Sequence, residues 1–169
     1  RGVTILDVNN PGSSHLTLPS GVNLLDLHLW DAGSSDGVLV LATTSGLMTI
    51  GLDQDGLMSA VIDELDGAAL DQIIPLQTGS GDLDMLGVGA AQSAFTFNID
   101  AEGRLGSTDA VPQLTEALQE QENTSVADLV HVVLPSDGAR LFVATNRGLL
   151  MANSTDFSGG FETSWIFDV

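Results

Sequence analysis

Cysteine and lysine are both absent from this chain of 169 residues, and only four arginines supply positive charge. Without cysteine the chain has no disulfide and no thiol chemistry, which fits the cytosol and equally an exported protein that lacks disulfides. No apolar run is long enough to cross a bilayer, so we expect no membrane insertion. Without lysine there is no Walker A loop, which excludes the P-loop nucleotide-binding proteins.

The charge balance is the strongest compositional signal. Twenty-three acidic residues give a net charge of −19. Such a charge disfavours nucleic acid and anionic lipid as partners, and it favours cations, basic protein segments or a salty medium. It is also typical of an acidic, well-solvated surface with no specific ligand. We expect an extracellular or periplasmic location in preference to a cytoplasmic one.

The apolar residues, 43% of the chain, occur in short runs that repeat. The stretch 42–58 aligns without a gap with 89–105, and the opening and closing segments are further copies. Successive copies start at Arg1, Ser45, Gln92 and Arg147, so the spacings are 44, 47 and 55 residues. Repeats of this length are typical of the four-stranded blades of β-propellers.

Each full copy contains four apolar strands joined by Gly, Ser and Asp turns, the pattern of consecutive hairpins. The predicted fold is therefore all-β, a partial β-propeller of four-stranded antiparallel blades, with about three and a half blades in this chain. The predicted boundaries are an outer half-blade at 1–20, blades at 21–66, 67–111 and 129–169, and an inter-blade insertion at 112–128.

The insertion has apolar residues at helical spacing, namely Leu114, Ala117 and Leu118, followed by Gln121. We expect a short helix or an ordered loop there. It is either a docking element on the propeller rim or a neutral surface insertion.

The half-blade predicts an incomplete ring. A blade without its two inner strands exposes an apolar face and a sheet edge. We therefore expect a protein partner that supplies the missing strands or blades. That partner is either the rest of the same precursor, of which this chain is a fragment or product, or a second copy that completes a seven-bladed ring.

The stretch "LPSDGARLFVATNRGLL" resembles the repeats of YVTN/lactonase-type bacterial β-propellers. The resemblance lies in a Pro-Asp-Gly-type turn, a Leu-Phe-Val-Ala strand and a polar turn with Gly, carried by Pro135, Asp137, Gly138, Leu141, Phe142, Val143, Ala144 and Gly148. It implies the fold and a bacterial origin. It also implies one alternative function, a lactonase-like or hydrolytic enzyme with its chemistry in the channel.

The candidate residues for such chemistry are His28 and His131, in similar places of two first strands, with Asp26 and Asp128 near them. Innermost strands line a propeller channel, so these side chains could approach a shared metal or substrate. Alternatively, each histidine packs between blades with its nitrogens satisfied.

The candidate metal ligands are Asp53 and Asp55 in "DQDG" and Asp100 and Glu102 in "DAEG". Calcium prefers several hard oxygen ligands, which a D-x-D-G turn can supply in part. The alternative is that Asp and Gly simply form good turns. The leading function is a non-enzymatic interaction or scaffold propeller. A channel enzyme and a calcium-stabilised extracellular adhesin are the alternatives.

Overall fold

The computed structural model describes residues 2–6, 13–30, 37–67, 69–76, 83–89, 92–120, 123–134, 138–154 and 161–168. They form fourteen strands and one helix. The elements in chain order are β1 (Gly2–Leu6), β2 (Ser13–Thr17), β3 (Leu24–Trp30), β4 (Val38–Thr43), β5 (Gly46–Leu52), β6 (Met58–Asp66), β7 (Leu70–Leu76), β8 (Leu83–Gly89), β9 (Ala94–Ile99), β10 (Leu105–Ala110), α1 (Pro112–Gln119), β11 (Val126–Leu134), β12 (Gly138–Thr145), β13 (Gly148–Ser154) and β14 (Glu162–Asp168).

The strands pair in sequence order within separate sheets. One sheet has the two strands β1 and β2, and three sheets have four strands each, β3 to β6, β7 to β10 and β11 to β14. Every pairing is antiparallel. The predicted four-stranded antiparallel blades are thus confirmed. Strand β11 begins at Val126, inside the segment expected to be an insertion.

Two hairpin turns have the same hydrogen bonds at equivalent places in their blades. The Gly56 amide donates to the Asp53 carbonyl at 2.8 Å, and the Gly103 amide donates to the Asp100 carbonyl at 2.8 Å. Both glycines have positive φ, +73° and +84°, a conformation that glycine adopts without steric cost. The repeat seen in the sequence is therefore a repeat of backbone geometry.

The hydrophobic core lies between the sheets, in three clusters. One cluster joins the two-stranded sheet to the first complete blade, through Val3 and Leu18 against Leu39, Leu41 and Ile50. The second joins the first and second complete blades, and the third joins the second and third. Each blade is thus held mainly by apolar contact with its neighbours in the chain, which is how propeller blades are stabilised.

Helix α1 belongs to the core. Its residues Leu114, Ala117 and Leu118 are buried in the cluster between the second and third complete blades. The Thr115 hydroxyl also accepts a hydrogen bond of 3.0 Å from the Ala94 amide of β9. The helix forms where the apolar spacing predicted one, and it fills space between two blades. Gln121 lies outside the described residues. No helix in the described part of the chain is long and apolar enough to cross a membrane.

Candidate functional site

The first strand of each complete blade has a bulge at the same place. The register shifts lie between Leu24 and Asp26, Leu70 and Gln72, and Val126 and Asp128. Asp26, Gln72 and Asp128 therefore occupy one equivalent position in the three blades. The residues after them can be compared position by position.

In the first and second complete blades, the side chain at this position links the blade to the next one. One carboxylate oxygen of Asp26, Oδ2, accepts a 2.9 Å hydrogen bond from the Ile73 amide of the following blade, and Oδ1 accepts one from Leu27 at 2.8 Å. Gln72 Nε2 donates to the Ala127 carbonyl of the last blade at 2.7 Å. Two of the three bulge side chains are thus inter-blade links.

Asp128 is exposed, and its Oδ1 accepts the Leu129 amide at 2.9 Å. It repeats the local bond that Asp26 makes to Leu27. In the described part of the chain no blade follows the one that contains Asp128.

A second set of links joins the outer strands. The Ser14 hydroxyl accepts a 2.8 Å hydrogen bond from the Met58 amide, and Asp63 Oδ2 accepts one of 3.0 Å from the Leu105 amide. Met58 and Leu105 are equivalent residues, the first of the fourth strand in their blades. The sequence reasoning missed these links because the acceptors differ in type and position, whereas only the donating amides repeat.

The two candidate histidines do not occupy equivalent positions. His28 lies opposite Val40, and its equivalent in the last blade is Val130. His131 lies one residue further along β11, so it is equivalent to Leu29. Because strand side chains alternate between faces, the two histidines project from opposite faces of their blades. The sequence comparison overlooked the extra residue between Asp128 and His131.

Both histidines are half-buried beside β7, on its two sides. Burial lowers the pKa of His28, an effect that the neighbouring Asp26 carboxylate partly offsets. Burial also lowers the pKa of His131, and a hydrogen bond with the Pro75 backbone works in the opposite direction. Of the four candidate channel residues, the structure brings together Asp26 and His28. It places His131 and Asp128 on opposite faces of β11.

The candidate metal ligands lie in the two equivalent turns. Asp53 Oδ1 accepts hydrogen bonds from the amides of Asp55 at 3.0 Å and Leu57 at 2.9 Å. Asp100 Oδ1 accepts the same pair, from Glu102 at 3.1 Å and Arg104 at 2.8 Å. These bonds hold the turn together. Among the described residues, no three His, Asp or Glu side chains are close enough together to hold a metal ion.

A cleft of about 230 Å³ lies between the first and second complete blades. Its lining is mostly apolar and includes Leu47, Leu65, Leu70 and Phe95, with Asp66 and Thr108 as polar residues. It is smaller than most ligand pockets, and two polar side chains offer little to orient a substrate.

The face of β3 that points towards the two-stranded sheet exposes large apolar side chains. Leu27 and Leu29 are 48% and 58% exposed. The positions equivalent to Leu27 in the next two blades are Ile73 and Leu129, which are only 7% and 9% exposed because the preceding blade covers them. Leu27 and Leu29 are therefore exposed where, among the described residues, the preceding sheet has two outer strands and no inner pair.

The last blade shows the same contrast on its other face. Val130 and Val132 are 49% and 38% exposed. The equivalent residues in the second complete blade, Ile74 and Leu76, are 9% and 1% exposed because the last blade packs over them. The described chain thus has two open blade faces: the leading face, with Leu27 and Leu29, and the trailing face, with Val130 and Val132.

Consecutive antiparallel sheets that pack face to face, with their first strands side by side, define the protein as a β-propeller. The crystal structure of BBS1N in complex with ARL6DN, soaked with mercury, is similar over 89% of this chain, with a TM-score of 0.56 and 15% sequence identity. A lead-soaked structure of that complex matches over 91% of this chain and 59% of its own, at 10% identity and a TM-score of 0.41.

The mercury-soaked match confirms the fold class, a partial β-propeller. The chain spans 41% of the length of the BBS1N chain that it matches. No protein-family model matches the sequence, and no curated protein matches it either.

Proposed function

We propose that this chain is a non-enzymatic protein-interaction module, a part or subunit of a larger propeller assembly that binds protein through its open blade faces. The observation that carries this proposal is the contrast between equivalent positions. Leu27 and Val130 are about half exposed, whereas Ile73 and Ile74, their equivalents inside the chain, are buried. Large apolar side chains that are exposed where their equivalents are buried against a neighbouring blade mark surfaces that a partner can cover.

Two further facts support the proposal. The similar BBS1N propeller was crystallised in a complex with another protein, ARL6DN. The charge of −19 also favours partners with basic segments around an apolar contact. On the sequence resemblance alone, we further propose a relationship to bacterial YVTN/lactonase-type propellers.

Site-specific photo-crosslinking in the producing cells tests the proposal. A photoreactive residue replaces Leu29 or Val130, one on each open face, and two exposed outer-strand residues, Ser107 and Glu162, serve as matched controls. All four side chains are exposed, so the replacements leave the fold intact. We expect adducts of discrete mass at Leu29 or Val130 and none at the controls. Equal labelling at all four positions, or none at either face, would contradict the proposal.

A further inference from the structure

The leading face combines an apolar surface with an open sheet edge. Among the described residues, β1 pairs with β2 alone, so its other edge has no strand beside it. Strands β4 and β5 of the adjoining blade are covered on this face, since Val3 and Leu18 pack in one cluster with Leu41 and Ile50. The innermost strand β3, with Leu27 and Leu29, is exposed. We call β1 together with these two leucines the inner groove.

We propose that the inner groove binds a two-stranded antiparallel hairpin, the inner pair of strands of a propeller blade. The hairpin adds to the edge of β1 and covers Leu27 and Leu29. This inference rests on the proposed function and names the partner segment for one of the two faces.

The two interfaces within the chain define this occupant. Between the first and second complete blades, Val40 and Ala42 of the inner strand β4 pack in the cluster that buries Ile73. Between the second and third, Leu86 and Val88 of β8 pack in the cluster that contains Leu129. In both cases the inner strands of the preceding blade cover the position equivalent to Leu27. An inner hairpin is therefore the segment that continues the established packing, and strand addition supplies its backbone hydrogen bonds.

The bulge of β3 narrows the chemistry of the occupant. In β3, as in β11, an aspartate binds the next amide: Asp26 binds Leu27, and Asp128 binds Leu129. Because the Leu129 amide already donates to Asp128, the blade before β11 binds a carbonyl instead. Its Gln72 side chain donates to the Ala127 carbonyl. By analogy the occupant carries an amide side chain at its bulge, which donates to the Leu25 carbonyl. Of the three first strands that the structure describes, β7 has that feature, so we take the hairpin β7–β8 as the probe.

A second copy of the chain is a poorer occupant. Its unmatched strands are β1 and β2, which are of the outer type, like β5 and β6. Counted over the described residues, two copies bring two pairs of unmatched outer strands and no additional inner pair. Homodimerisation at this groove therefore leaves both half-blades without their inner strands.

A labelled peptide of residues 67–91, which contains β7 and β8, serves as the probe and is titrated into the full chain by fluorescence anisotropy. We expect saturable one-to-one binding, with slower hydrogen exchange at the β1 amides. Changing Gln72 to Glu in the peptide removes the donor and should weaken binding. Leu29→Glu in the chain should weaken binding about tenfold or more, because it removes a leucine contact. The control Ser107→Glu, on the exposed outer strand β10, should leave the affinity unchanged.

Two results overturn the proposal. One is the absence of saturable binding together with unchanged β1 exchange, which does not depend on any variant folding. The other is a dimer in sedimentation equilibrium that Leu29→Glu abolishes, since the occupant is then a second copy. If Val130 gives crosslinks but the peptide does not bind in the titration, the proposed function is still supported and only the inference about the inner groove is refuted.

Discussion

Replacing Asp26 by alanine removes two hydrogen bonds, and the repeat supplies a matched control for one of them. Asp26 accepts the Leu27 amide within its own strand and the Ile73 amide of the next blade. Asp128, at the equivalent position, makes the bond within its own strand, to Leu129. The difference between Asp26→Ala and Asp128→Ala therefore isolates the link between blades.

The expected size of the difference follows from the exposure of the two bonds. The bond within the strand is exposed at Asp26 and partly buried at Asp128, so its loss costs about 0.5–1 kcal/mol and at least as much in the Asp128 variant as in the Asp26 variant. The bond to Ile73 is partly buried and involves a charged acceptor, and its loss leaves a backbone amide without that partner. Such a loss costs about 1.5–2 kcal/mol. We expect Asp26→Ala to lower the free energy of unfolding by about 2–3 kcal/mol and Asp128→Ala by about 0.5–1 kcal/mol.

Urea denaturation measures both values, with Trp30 and Trp165 fluorescence and circular dichroism as independent probes of two-state unfolding. The two tryptophans lie in the first and last complete blades, so together they report on both ends of the described chain. Equal losses in the two variants would refute the claim that the Asp26 carboxylate holds two blades together.

Three further predictions concern the core, the turns and the histidines. Leu118→Ala should lower the free energy of unfolding by about 2–5 kcal/mol, because the side chain is fully buried between two blades. A loss below about 0.5 kcal/mol, which is typical of a surface site, would contradict a core role for α1. Gly103→Ala should cost about 1 kcal/mol more than Gly56→Ala, because a Cβ at Gly103 lies 3.1 Å from the buried Val38 side chain and 2.6 Å from the end of the Ile62 side chain, whereas one at Gly56 meets nothing within 4 Å. Equal midpoints in thermal unfolding would contradict this. The lowered pKa values of His28 and His131 mean that the folded chain binds these protons more weakly than the unfolded chain does. Their stabilising contribution is therefore complete above the unfolded pKa of 6.5 and is lost as the pH falls through that value towards the lower folded pKa. A variant with both His28→Gln and His131→Gln should lose less free energy of unfolding than the parent as the pH falls over that range. Parallel profiles of unfolding free energy against pH would refute the claim that burial lowers these two pKa values.

The sequence predicted the strands and their order because two kinds of signal are local. Alternating apolar residues form the strands, and the Asp-x-x-Gly turns close the hairpins, as Asp53 and Asp100 show. The apolar positions of α1 were equally visible. What the helix packs against could not be predicted, because it depends on the space between two blades far apart in the sequence.

The relative positions of the candidate site residues were predicted less well, because they depend on the register of the strands. The sequence placed His28 and His131 together, yet one extra residue after the bulge moves His131 to the opposite face. The link from Gln72 to Ala127 spans 55 residues, and its partner is a backbone carbonyl that has no sequence signature. The exposed leucines of β3 could have been found, since an apolar face next to a half-blade was expected on physical grounds.

The most direct test of the open inner groove is to complete the half-blade covalently. A copy of residues 67–91 placed before Arg1 has the correct repeat register, because Gln92 aligns with Arg1. Hydrogen exchange of the β1 amides, measured by mass spectrometry with and without this extension, is the observable. We expect exchange in Gly2–Leu6 to slow by about tenfold or more, as alternate amides that point away from β2 gain partners. Unchanged exchange in β1 would contradict the claim that this edge and its leucines form a binding site for inner strands.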